Sequence, residues 1–222
     1  MDLLSLCDQV AEAGVIEDPA EGESPRALAL RLALAKALAV ARRHPQARVV
    51  GADTVVAVDD MILGKPADGT EAVEMLRLLR GRAHQVFSGL VVLDGETGLG
   101  TADSAATEVW MRDYTDREIT AYVRTGDPLD KAGGYAIQHG GFRPVARMEG
   151  CYASVMGFPM CHLRRSLRAL GIPYQRDMPA LCRAHTGHPC QVYPQVLRGD
   201  PLWLFRLPVT LDELPWGDLS AL

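Results

Sequence analysis

The run Val49-Val50-Gly51-Ala52-Asp53-Thr54-Val55-Val56-Ala57-Val58 is apolar and rich in β-branched residues, yet it carries one carboxylate, Asp53. β-Branched side chains fit a pleated, half-buried surface, so the run predicts a buried strand, and Asp59-Asp60 supplies the turn that ends it. An ionised carboxylate inside such a strand is costly unless a cation, a metal or a set of amides compensates it. Either a positive partner stands beside Asp53, or the acid sits at an exposed strand end and makes only local hydrogen bonds.

The elements around this strand follow from caps and periodicity. Ser24 can cap free amides and Pro25 suits a first helical position, so a helix is predicted from there to about Arg43. Gly69 to Leu79 has helical spacing. Gln85 to Leu93 and Ala105 to Met111 read as a hairpin around Asp94-Gly95. Thr115-Asp116-Arg117-Glu118 has the capping-box pattern and opens a helix that ends by Gly126. A glycine-rich loop follows, then a short strand at Tyr135-Ala136-Ile137-Gln138 and a helix from Pro159 to Leu170 stopped by Gly171. Alternating strands and helices without a repeat predict an α/β domain, a mixed sheet covered by flanking helices.

After Gly171 the texture changes. Prolines recur at 173, 179, 189, 194, 201, 208 and 215 and helical periodicity is lost, so 172–222 is expected to be an extension of residues 1–171. Trp203 and Trp216 suggest that it packs on the main unit. Cys182, His185, His188 and Cys190 fall within nine residues, but their spacing matches no standard zinc pattern. A plain loop is the expected reading, with Zn²⁺ the unfavoured one.

Composition mainly excludes. With 48% hydrophobic and 23% charged residues, the chain is neither disordered, collagen-like nor a disulfide scaffold. A formal net charge of -5 gives no basic footprint for duplex nucleic acid. No apolar stretch is long enough to span a membrane. Cys7, Cys151, Cys161, Cys182 and Cys190 are odd in number and widely spaced, without a recognisable secretory signal, so reduced thiols in the cytoplasm are expected.

Several residues carry chemistry only in combination. Lys36 is the lone charge between Arg31 and Arg42 on an Ala- and Leu-rich helix, and by itself reads as a side chain reaching for solvent. Lys65, in Gly64-Lys65-Pro66, follows a tight turn suited to a phosphate contact. In Asp130-Lys131-Ala132-Gly133-Gly134-Tyr135-Ala136-Ile137-Gln138 the glycines allow close approach to a ligand, and Gln138 offers donor and acceptor to a base edge; a surface turn is the alternative.

Gly-Ala-Asp-Thr-Val-Val at 51–56, Leu-Gly-Lys-Pro at 63–66, the 130–138 string and Glu-Gly-Cys-Tyr-Ala-Ser-Val-Met-Gly-Phe-Pro at 149–159 resemble, in order and spacing, the motifs of the Maf family of nucleotide pyrophosphatases. The resemblance covers about Glu17 to Leu170. It implies an inosine triphosphatase-like fold of two lobes around a cleft, and hydrolysis of a nucleoside triphosphate to the monophosphate and pyrophosphate with a divalent metal, Mg²⁺ or alternatively Mn²⁺. It implies Asp53 as proton acceptor, Lys36 and Lys65 on the phosphates, Thr54 and Gln138 at the base, and Glu17 with Asp53 at the metal. Ile16 replaces the aspartate that precedes this glutamate in the family. Ala52, Thr54 and Tyr-Ala-Ile-Gln resemble the dTTP/UTP branch more than the 7-methyl-GTP branch. A homodimer is the assembly the resemblance implies. The family's Ser-x-Ser-Pro-Arg-Arg phosphate loop has no counterpart here, since Ser24-Pro25-Arg26 lies in a later segment. The resemblance therefore leaves open a nucleotide-binding or regulatory protein with weakened catalysis.

Overall fold

The computed structural model describes residues 9–59 and 61–207. Asp60, Cys7, Pro208, Pro215 and Trp216, which figure in the sequence reading, lie outside the described residues.

Helix α1 (Pro25–Arg43) starts as the sequence predicts, with Ser24 Oγ accepting from the Ala27 amide and proline in the first turn. Strand β1 (Arg48–Val58) ends at Asp59, whose φ of 53° makes the turn. A short β2 (Met61–Leu63) folds back on the end of β1. Helix α2 (Gly69–Leu79) is capped by Asp68. The hairpin of β3 (Ala83–Asp94) and β4 (Leu99–Met111) forms the centre of the sheet. Helix α3 (Asp116–Val123) carries the complete capping box of Thr115 and Glu118. Strand β5 (Val145–Glu149), the single turn α4 (Tyr152–Val155) and α5 (Met160–Ala169) follow.

The sheet runs β2-β1-β3-β4-β5, and every pairing among the described strands is antiparallel. Helix α1 lies on β1 and β3 over a core of Leu30, Leu34, Val49, Val91 and Leu93. A second core, with Val56, Leu76, Val109, Ile119 and Tyr135, gathers α2 and α3. A third joins Leu90 and Val92 of β3 to Leu163 and Leu167 of α5. Alternation along the strands thus feeds helices on both faces, as an α/β sheet requires.

Two expectations change. Tyr135 to Gln138 is not a strand: the Ala136 amide donates to a side chain, Tyr122 Oη, at 3.0 Å, and not to a neighbouring strand. The extension is not without helices either. It forms α6 (Met178–Thr186), α7 (Tyr193–Arg198) and β6 (Trp203–Arg206). Pro179 and Pro194 fall in first turns, where the missing amide costs nothing, so prolines that looked like breakers are starters.

The extension docks as the tryptophan suggested. Strand β6 pairs with β4, with Ala102 opposite Trp203, and Trp203 packs on the α1 core. Arg165 of α5 holds the buried carboxylate of Asp103 on β4 through bonds of 2.8 and 2.6 Å. Its neighbour Arg168 donates to the carbonyls of Leu197 and Gly199 in the extension.

Candidate functional site

The site begins with how closely α1 can approach the sheet. A Cβ at Gly51 would strike the Ala33 carbonyl oxygen, and one at Gly89 would strike that of Ala29. These two glycines, with the alanine stripe of α1, let the helix rest on the backbone of β1 and β3. The approach brings Lys36 to Asp53, with Nζ 2.5 Å from Oδ1. Of the alternatives left open for Asp53, the structure shows a cation, a lysine from the preceding helix.

Lys36 is also 2.5 Å from Glu17 Oε1, and Lys65 lies 3.2 Å from Glu17 Oε2. Asp53, Lys36, Glu17 and Lys65, taken from four separate segments, thus form one chain of alternating charges. The Asp53 carboxylate is 10% exposed. Burial pushes its pKa above the usual carboxylate value, and Lys36 opposes but does not cancel that shift. The Lys36 hydrogen bond, against partial burial, holds Glu17 below its usual value. Burial works against the charge on Lys36, but its bonds to Asp53 and Glu17 raise its pKa, so it stays protonated.

Two adjoining cavities meet at this chain. One, of about 550 Å³, is lined by Glu17, Lys36, Lys65 and the segment Ala11–Val15 along the edge of β1. The other, of about 260 Å³, is lined by Asp53, Thr54, Lys131, Tyr135, Gln138 and Met156 among others. Lys65 and Ala52 belong to both. The first sets Glu12, Glu17, Lys36 and Lys65 among small apolar residues; the second offers apolar surface with a few polar atoms and suits a ring.

Gly133 and Gly134, with φ of 70° and 69°, shape the wall of the second cavity, and the Gly133 amide donates to the Gly64 carbonyl at 3.0 Å. This bond fixes the 130–138 loop beside Lys65. Gln138 is exposed at the rim. Opposite stands the turn Val155-Met156-Gly157, anchored on β3 and β4: Ser88 Oγ donates to the Ser154 carbonyl at 2.6 Å, and the Cys151 amide donates to Thr107 Oγ1 at 3.0 Å.

The residues that the Maf resemblance points to come to this region: Asp53, Lys36, Glu17 and Lys65 along the charge chain, Thr54 and Gln138 on the ring side. The bridging of Glu17 to Lys36 was not legible, since no local pattern links positions 17 and 36. Ser88 was missed too. It is wholly buried beside Thr54, 2.8 Å away, on the strand paired with β1, and only the register of Thr54 against Ser88 reveals it. Of the soft side chains at 182–190, His185 and His188 are exposed, and His188 stacks on Tyr152.

An antiparallel sheet under helices, with a lysine-bridged carboxylate beside two adjoining cavities, defines an α/β protein with a small-molecule cleft. The model of the family described as Maf-like protein matches residues 2–170. The chain belongs to the Maf family. It is 43% identical over 162 residues to the dTTP/UTP pyrophosphatase of Geobacter metallireducens, covering 73% of this chain and 84% of that one. It is 45% identical over 165 residues to the dTTP/UTP pyrophosphatase of Oleidesulfovibrio alaskensis, covering 73% and 75%. The 7-methyl-GTP pyrophosphatase of Cupriavidus pinatubonensis is 41% identical over 175 residues, covering 78% and 88%. Among the described residues, no helix is long and apolar enough to cross a membrane.

Proposed function

We propose that this chain hydrolyses the α–β phosphoanhydride of dTTP or UTP, releasing the monophosphate and pyrophosphate. The observation that carries this reading is Asp53, a nearly buried carboxylate at the junction of the two cavities, held by Lys36 and raised in pKa. In its ionised form Asp53 takes a proton from a water attacking the α-phosphorus, the bond to the bridging oxygen breaks, and pyrophosphate departs. Lys36 and Lys65 bind phosphate oxygens and offset their charge as it shifts to the leaving group. Lys36 also opposes the upward push that burial gives the Asp53 carboxyl.

Relatives' names support the substrate, and one hydrogen-bond polarity supports the base. Ser88 has a single hydroxyl proton and gives it to the Ser154 carbonyl, so in its contact with Thr54 it must accept. Thr54 then keeps only acceptor capacity for the cavity that it lines. Uracil and thymine present an N3–H donor; cytosine presents a bare N3. Gln138 at the rim reads the rest of the base edge.

Glu17 and Asp53 are hard oxygen donors converging on one point, now bridged by Lys36, and a divalent cation fits that donor set. Mg²⁺ is the ion proposed, with Mn²⁺ as substitute; it would supply Lewis-acid stabilisation of the phosphates. The Maf-type unit is taken to end near residue 171, with 172–222 as its extension, in a cytoplasmic protein that pairs as a homodimer.

The test is pyrophosphate release from dTTP, UTP, CTP and 7-methyl-GTP with Mg²⁺, for the chain and its Asp53→Asn variant. Release from dTTP and UTP that disappears in the variant supports the reading. Nucleotide binding without release from any substrate would instead favour a binding protein with weakened catalysis.

A further inference from the structure

Residues 10–19 form no helix or strand, yet they carry Glu17, the acid that joins Lys36 to Lys65. An irregular segment holds a functional carboxylate in place only if its backbone is tied to a rigid element. Among the described residues, the backbone of 10–19 is tied by hydrogen bonds at two points. Arg43 Nη2 donates to the Glu12 carbonyl, and Arg31 Nη2 donates to the Asp18 carbonyl at 2.9 Å. Both arginines stand on α1, as does Lys36. Along the segment the contacts run Glu12, Glu17, Asp18; along α1 their partners run in reverse, Arg43, Lys36, Arg31. The segment therefore passes along α1 in the opposite direction, and Ala11–Val15 with Glu17 form one wall of the cavity of about 550 Å³.

Arg31 grips more than one carbonyl. Its Nε donates to Glu23 Oε1 at 2.7 Å and its Nη2 to Glu23 Oε2 at 2.8 Å, a fork on a carboxylate that is 10% exposed. Glu23 Oε2 also accepts from the Ala20 amide at 3.0 Å, and the Glu23 amide donates to the Ala20 carbonyl at 3.1 Å. These bonds close the turn at 20–23, and Arg31 holds it on both sides, at Asp18 before it and at Glu23 after it.

We infer that Arg31 is a positioning residue for Glu17: by fixing Asp18 and Glu23 on α1 it sets where the Glu17 carboxylate stands, and so how well the site binds its divalent cation. The inference rests on the reading of Glu17 as an oxygen donor to that cation. Arg31 lines neither cavity, so it acts through Glu17 and not by contact with what the cavities hold. Lys36 and Lys65 bond the Glu17 carboxylate itself, but their flexible four-carbon stems follow it as it moves. The grip on the Asp18 carbonyl, one residue away, limits where the carboxylate can go. A lysine at 31 would keep the charge and lose the planar fork that spans Asp18 and Glu23.

The experiment titrates the full chain with Mn²⁺, without nucleotide, and reads binding from the enhancement of water-proton relaxation. The proteins compared are the parent, Glu17→Gln, the paired variant Arg31→Gln with Glu23→Gln, and the triple variant. Removing Glu23's charge together with that of Arg31 avoids leaving a half-buried carboxylate without its cation. Thermal melting checks that each variant is folded. The Mn²⁺ dissociation constant should rise about tenfold in Glu17→Gln and by a similar factor in the paired variant. The triple variant should show no further rise, because two changes that act through one group do not add. With UTP, the paired variant should need more Mg²⁺ for half-maximal pyrophosphate release, with kcat at saturating Mg²⁺ near the parent's. A merely structural role would lower kcat through loss of folded enzyme and leave the Mg²⁺ requirement unchanged. No Mn²⁺ binding by the parent, unchanged affinity in the paired variant, or a loss that adds to that of Glu17→Gln would overturn the inference. A parent that binds Mn²⁺ but releases no pyrophosphate would refute the proposed activity, and the Mn²⁺ comparison would still decide the role of Arg31.

Discussion

Ser88 fixes the direction of the Thr54 hydroxyl proton: the two oxygens are 2.8 Å apart, and the one proton of Ser88 is already given to the Ser154 carbonyl at 2.6 Å. A residue with no contact to the cleft thereby sets what a cleft residue can recognise. Ser88→Ala leaves the Thr54 proton free to point into the cavity, so it can serve cytosine as well. The ratio of kcat/KM for UTP over CTP should fall by about 5- to 10-fold, the worth of one hydrogen bond. Steady-state kinetics with both nucleotides check this; an unchanged ratio would remove Thr54 from base selection.

Asp53 is raised in pKa by burial, so the folded protein holds its proton more tightly than the unfolded chain. The stability it contributes is present below the unfolded-state value and is lost as pH rises through the folded one. At neutral pH the ionised carboxylate is therefore a strain that catalysis requires. Asp53→Asn should reduce pyrophosphate release by about 10²- to 10⁴-fold while leaving the melting temperature at pH 7 equal or higher. A large drop in melting temperature would assign Asp53 a structural role instead.

His84 is buried, with Nε2 on Tyr135, and burial lowers its pKa to about 4. Its neutral form contributes stability above the unfolded value near 6.5, and that contribution is lost as pH falls towards about 4, a total of roughly 3 kcal/mol. Urea unfolding at pH 7 and pH 4.5 should show a smaller pH-dependent loss for His84→Gln than for the parent. Equal losses in the two proteins would contradict this.

Asp103 is inaccessible on β4 and its charge is met by Arg165. Arg165→Met leaves an uncompensated buried carboxylate and should cost about 3–5 kcal/mol in urea unfolding, because the desolvation is no longer repaid. Adding Asp103→Leu should recover most of the loss. A double variant as unstable as the single one would mean that Arg165 acts through the extension, not through Asp103.

The sequence alone determined most of the local elements that carry the site. Caps at Ser24 and Thr115, the glycine stop after α5 and the alternation of β3 and β4 are short-range effects that do not wait for tertiary contacts. Asp53 likewise stood out, because a charge in an apolar strand needs a cation, a metal or amides unless it lies at an exposed strand end. Tertiary structure decided which cation. Lys36 reaches Asp53 only because Gly51 and Gly89 let α1 settle on the sheet backbone, and Glu17 joins them from a segment with no local relation to either. It also turned Tyr135–Gln138 from an apparent strand into a loop whose Ala136 amide bonds Tyr122, made helix starts of Pro179 and Pro194, and gathered Cys151, Cys161 and Cys182 into one buried cluster. Periodicity and caps act within a few residues and are written along the chain; register, close approach and the meeting of distant side chains depend on how whole elements pack.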